Sequence, residues 1–261
     1  MTSAHPPELR GSAVYDPRVR TVGNGPPLVL VPGMDGTGRL FYRQVPLLAR
    51  DYRVTTYALR DSAPSMSVLV EDLANVVRAA SATNEPAMIL GESFGGTLAM
   101  SFAVAHPELV RALVVVNSFP RFRPQYRLRL AIAGLSVMPW SAMGLVRRLT
   151  AFRLHSRYTH RDELRRFLRE IKATTQEGYV GRLRILRGYD VRPHLGRIVA
   201  PTLFLAAERD HLVPAVEQAT YMAAQVPRAS LRVLRGHGHI CMIAPNLDLG
   251  DIIREWQPAA S

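Results

Sequence analysis

The chain has 261 residues, 48% hydrophobic and 21% charged, which is enough for one buried core and excludes the disordered and fibrous classes. Its first twenty residues hold no apolar run of leader length, and no later run reaches about eighteen apolar residues, so neither a signal peptide nor a membrane span is expected. The net charge is +12, and Cys241 is the single cysteine, which excludes an internal disulfide or a cysteine metal cluster and points to a reducing cytoplasm.

Residues 1–12, with Pro6-Pro7, predict a loose tail, and a core is expected over 13–118 and 194–261. Leu28–Val31 reads as a strand buried on both faces. It leads into the glycine-rich loop Pro32-Gly33-Met34-Asp35-Gly36-Thr37-Gly38, which lacks the Lys-Ser/Thr of a phosphate-binding loop. A strand at Arg53–Tyr57 precedes a helix over Val68–Ala80, where Leu69, Leu73, Val76 and Val77 fall at helical spacing. A strand at Ala87–Leu90, a helix over Gly95–Ala105 and a strand at Ala112–Val116 follow. After a gap, Thr202–Ala206, a helix over Ala215–Gln225 behind Pro214, and Ser230–Leu234 resume the alternation. Such repetition predicts a mostly parallel α/β sheet with helices on both faces.

The gap, residues 119–193, predicts a helical cap. No strand pattern occurs there, while Leu164, Phe167, Leu168 and Ile171 share one helix face opposite Arg165, Arg166, Arg169 and Lys172. This segment holds 17 basic and 5 acidic residues; the rest of the chain holds 16 of each. All the excess charge therefore sits in the cap. Two readings stand: a solvated basic surface, or contact with an anionic partner such as a phospholipid surface or an acyl-CoA, helped by the nearly uncharged stretch Leu130–Val146. No nucleic-acid motif accompanies the charge.

Chemistry is concentrated after the strands. Gly91-Glu92-Ser93-Phe94-Gly95 joins a strand to a helix, where a tight turn would lift the Ser93 hydroxyl above the sheet. A serine needs a base. Among eight histidines, His239 in Gly236-His237-Gly238-His239 is best placed, with His237 as its rival. The base needs an acid to fix its tautomer. Asp210, after the strand at Thr202–Ala206, is the choice, with capping of the helix that begins at Pro214 as its alternative reading and Glu208 as the alternative acid. The backbone N–H groups of Met34 and Phe94 are the candidates for stabilising an oxyanion.

With these residues the chain resembles the α/β-hydrolase superfamily, in particular its small esterase-like members with a helical cap. The resemblance rests on Pro32-Gly33-Met34, Gly91 to Gly96, Ala207 to Pro214 and Gly236 to His239. It implies an eight-stranded, mostly parallel sheet, a Ser-Asp-His order met by Ser93, Asp210 and His239, oxyanion amides at Met34 and Phe94, and no cofactor or metal. Pro32-Gly33 departs from the His-Gly often found in such members. Serine in the elbow speaks against dehalogenases and epoxide hydrolases, which need a carboxylate nucleophile. The expected activity is hydrolysis of a small carboxylic ester, short to medium or lipid-like, through an acyl-enzyme on Ser93. A thioester, a C–C bond or an acyl acceptor other than water are alternatives with the same triad, and a non-catalytic binding protein is a third reading.

Overall fold

Continuous β-branched runs become the strands of one twisted sheet. The computed structural model describes residues 18–81, 85–123, 125–137, 139–144, 148 and 154–256. The predicted tail at 1–12 lies outside them. The strands are β1 Arg20–Val22, β2 Pro27–Val31, β3 Arg53–Thr56, β4 Ala87–Glu92, β5 Val110–Val116, β6 Thr202–Ala207 and β7 Ala229–Leu234. Their spatial order is β1-β3-β2-β4-β5-β6-β7, and every pairing is parallel except β1 with β3.

The eight strands implied by the resemblance are thus seven among the described residues. At one edge β1 is only three residues long and exposed throughout, so it leaves no hydrophobic pattern in the sequence. At the other edge the chain leaves β7 and, past the histidine loop, turns into a helix instead of another strand.

Residues along β2 are all buried but alternate between two cores. Val29 and Val31 face a cluster that includes helices α2 (Met66–Ala80) and α3 (Phe94–Ala105). Leu28 and Leu30 face a cluster with Leu48 of α1 (Gln44–Leu48) and residues of the C-terminal helix Leu249–Trp256. This is the period-two geometry of a strand covered on both faces. Truncating such a leucine to alanine costs about 2–5 kcal/mol.

Between β5 and β6 the described residues form no strand. They form α4 (Gln125–Val137), α5 (Arg161–Glu170) and α6 (Gln176–Gly188). On α5, Phe167 packs against Ile243, with Leu164 and Leu168 partly buried beside it, while Arg165 and Arg169 are exposed. Arg166 lies with its guanidinium 3.9 Å from the centroid of the Tyr42 ring. Helices α7 (Ala215–Gln225) and α8 (Leu249–Trp256) complete the layers. No helix among the described residues is long and apolar enough to cross a membrane.

Register places the functional loops together. Val31 pairs with Gly91, Glu92 with Val116, Val116 with Leu205, and Ala207 with Leu234. The loops after β2, β4, β6 and β7 therefore leave the sheet along one carboxyl-end rim, where ligands of open parallel sheets bind.

Candidate active site

Ser93 sits between β4 and α3 with φ 55° and ψ −118°, a left-handed strained backbone for a residue with a side chain. Neighbouring glycines allow it. A Cβ at Gly91 would run into the carbonyl of Gly95, and one at Gly95 into the carbonyl of Val31. Two further bonds fix the turn: Ser93 N–H donates to Val116 O at 2.9 Å, and Ser118 Oγ donates to Ser93 O at 2.8 Å. Ser93 as a whole is only 8% exposed and stands at the start of α3.

His239 comes to it from the far side. Its Nε2 lies 3.1 Å from Ser93 Oγ, and its Nδ1 lies 2.6 Å from Asp210 Oδ2. With the ring proton on Nδ1, Nε2 is free to accept from the hydroxyl. Burial disfavours the imidazolium, but the charge and hydrogen bond of Asp210, with the charge of Glu92, together lift His239 above the usual histidine value. Asp210 does not cap the helix that follows Pro214, which has no side-chain cap, but it fixes its own turn: its Oδ1 accepts from Leu212 N–H and Val213 N–H, both at 2.9 Å. The rivals have other work. His237 Nδ1 lies 3.0 Å from Ser156 Oγ, and burial aided by Arg157 lowers its affinity for a proton. Glu208 accepts from Gly236 N–H at 2.8 Å and so braces the histidine loop.

Phe94 opens α3, so its N–H has no partner within the helix. The facing loop is tied to itself and to the helical insertion. Gly36 N–H donates to Gly33 O at 3.1 Å, and Asp35 Oδ2 accepts from Thr37 N–H at 2.8 Å. From α6, the buried guanidinium of Arg182 donates to Met34 O at 3.0 Å and to Asp35 O at 3.1 Å. Gly36, at φ +70°, leaves the space this guanidinium occupies. Pro32-Gly33 thus starts a loop held by a cap arginine and an aspartate-centred turn.

Ser93, His239 and Met34 open onto a cavity of about 400 Å³. Its walls are mainly apolar and are shared between the loops of the sheet rim and the insertion, which adds Leu128 and Leu135 of α4 and Tyr179 and Leu183 of α6. Among the described residues no group of three or more His, Cys, Asp or Glu side chains could hold a metal.

The alpha/beta hydrolase fold family profile matches residues 26–244. The chain belongs to this family. A putative carbamate hydrolase RutD from Serratia proteamaculans is 27% identical over 246 residues, covering 88% of this chain and 90% of that protein. Among solved structures, a hydrolase from Pseudomonas aeruginosa PA01 superposes with a TM-score of 0.80 at 24% identity, over 92% of this chain and 94% of that one. A thermophilic esterase from Thermogutta terrifontis superposes with a TM-score of 0.79 at 22% identity, over 91% of each.

Three residues of this α/β hydrolase escaped the sequence reading. Asn117, 1% exposed and at φ 47°, links the loops that carry Asp210 and His239: its Nδ2 donates to His239 O at 2.9 Å and its Oδ1 accepts from Ala207 N–H at 2.7 Å. An asparagine just past a strand, a residue type that tolerates positive φ, was the available signal. Arg182 was hidden among the other arginines of the cap. Glu92, inside the elbow itself, carries no signal in the sequence beyond the spacing of the motif.

Proposed function

We propose that this α/β hydrolase cleaves acyl compounds by nucleophilic attack of Ser93, with His239 as base and Asp210 as its orienting acid. One observation carries the reading: Ser93 Oγ, His239 Nε2, His239 Nδ1 and Asp210 Oδ2 form a continuous hydrogen-bonded line at the floor of the apolar cavity. In the first step Ser93 Oγ bonds to the carbonyl carbon while its proton passes to His239 Nε2. The carbonyl oxygen becomes an oxyanion facing the amides of Met34 and Phe94. Collapse expels the leaving group, which takes the proton from Nε2, and leaves an acyl group on Ser93. Water, activated by the same Nε2, then releases the acid.

Carboxylic esters of short to medium acyl chain suit a cavity of this size and apolar lining. Carbamates are the second reading, favoured by the relatives that carry the name putative carbamate hydrolase at 23% to 29% identity. The test is turnover of p-nitrophenyl esters of graded acyl length by the wild type and by Ser93→Ala. A preference among chain lengths that disappears with Ser93 supports the reading. Turnover that survives Ser93→Ala overturns it.

A further inference from the structure

Glu92 ends β4, immediately before the nucleophile, and its carboxyl lies at the floor of the same cavity. Oε1 is 4.0 Å from His239 Nε2, and the side chain is 16% exposed. A Cβ on Gly33 would come within 2.6 Å of Oε2, so the bare glycine of the oxyanion loop makes the room this carboxyl needs. The other carboxyl on this wall is already committed: Asp35 accepts from Thr37. No hydrogen bond from a described residue offsets the burial of the Glu92 carboxyl. Burying a carboxylate without such a bond is costly, and burial together with the charges of Asp35 and Asp210 outweighs the opposing effect of His239, pushing Glu92 up to about 7.

The position has a chemical meaning for the leaving group. His239 Nε2 returns its proton to the departing atom, which must lie within about 3 Å of it. With Oε1 4.0 Å from the same nitrogen, one atom can sit at hydrogen-bond distance from both. An alcohol oxygen there has no hydrogen to offer Glu92 and turns a lone pair toward a carboxylate. A nitrogen differs. Before its bond to carbon breaks, its lone pair must swing toward Nε2, and this inversion carries its N–H toward the other side of the site, where an acceptor stabilises it.

We infer that Glu92 is a specificity-determining residue that selects acyl compounds whose leaving atom is an N–H nitrogen, an amide or a carbamate cleaved at its C–N bond. This deepens the Ser93 reading and rests on it. Ser93 Oγ bonds to the carbonyl carbon and its proton moves to Nε2. On collapse the C–N bond breaks, its electron pair goes to nitrogen, and the nitrogen takes the proton from Nε2 while its own N–H donates to Glu92 Oε1.

The experiment compares three chromogenic probes with one butyryl group: the p-nitrophenyl ester, the p-nitroanilide and the N-methyl-p-nitroanilide. Wild type, Glu92→Leu and Glu92→Gln are assayed at about pH 8.5, above the value near which Glu92 ionises. Rates are expressed per site labelled by a fluorophosphonate, which removes the effect of any misfolded fraction. Glu92→Leu is expected to lower kcat/KM for the N–H anilide about 10-fold or more, the size of a lost bond to a charged acceptor. It is expected to raise ester turnover and to leave no preference between the two anilides. Glu92→Gln, whose amide oxygen still accepts, recovers part of the N–H preference. Equal anilide-to-ester ratios in wild type and Glu92→Leu overturn the inference, as does a wild type that hydrolyses the ester and neither anilide. Turnover that persists in Ser93→Ala instead overturns the serine reading, so the two failures are separable.

Discussion

Asp210 holds His239 with one carboxylate oxygen and its own turn with the other. Oδ2 lies 2.6 Å from His239 Nδ1, while Oδ1 accepts from the N–H groups of Leu212 and Val213. One carboxylate thus serves both contacts: the backbone bonds fix it in the orientation that meets the imidazole. Asp210→Asn keeps an acceptor for its own turn but presents a donor or a weaker acceptor to Nδ1, which favours the wrong tautomer. The expected result is a folded protein with kcat lower by about 10⁴-fold. Steady-state kinetics beside a thermal melt check it, and a variant within a factor of ten of wild type would show that Asp210 only caps its turn.

His239 and His237 differ by two positions and by everything around them. His239→Ala removes the group beside Ser93 Oγ, and activity should fall by several orders of magnitude. His237→Ala loses a contact with Ser156 and should lower stability while retaining turnover. The two variants, assayed side by side, read this directly; the reverse ranking contradicts the assignment.

Much of this site could be read from the sequence, and the reason is local. Ser93, Asp210 and His239 each stand a few residues beyond an apolar run, and parallel register does the rest by bringing the ends of β4, β6 and β7 to one rim. Elements without a local signature were not legible. The exposed edge strand β1 has no apolar alternation. Arg182 meets Met34 across 148 positions of sequence, and nothing near it marks that contact. Glu92 gained its meaning only when Gly33 and His239 were placed beside it.

The buried carboxyl of Glu92 makes stability depend on pH. Its folded-state value, about 7, lies above the ordinary carboxylate value of 4.5, so the fold prefers it protonated. The charged and titratable groups that bear on it are His239, Asp35 and Asp210, with Cys241 also coupled to it. Stability from this group is fully present below about pH 4.5 and is lost as pH rises through about 7, by something on the order of 3 kcal/mol. Glu92→Gln cannot ionise. Urea denaturation at several pH values should therefore show the variant gaining on wild type between pH 4.5 and about 8. A constant difference over that range would mean that Glu92 ionises without penalty.

Arg182 ties the helical insertion to the loop that carries the Met34 amide. Arg182→Met keeps bulk but leaves two buried carbonyls without their donor, so a loss of about 2–5 kcal/mol is expected. In the folded fraction kcat should fall more than KM rises, because in the proposed mechanism the loop amide stabilises charge that develops only in the transition state. Arg182→Lys, which can reach one carbonyl, should recover part of both. Urea midpoints and steady-state constants for the three proteins decide it; a kcat equal to wild type in Arg182→Met would make the arginine structural alone.

The proposed chemistry passes through a covalent acyl group on Ser93. Rapid-quench intact-protein mass spectrometry during turnover of p-nitrophenyl butyrate, followed by peptide mapping, detects that group. A mass increase equal to one butyryl group, located on the peptide containing Ser93, accumulating in His239→Ala no faster than in wild type and absent from Ser93→Ala, is the predicted result. An adduct on another residue, or p-nitrophenol released with the same burst from Ser93→Ala, would contradict it.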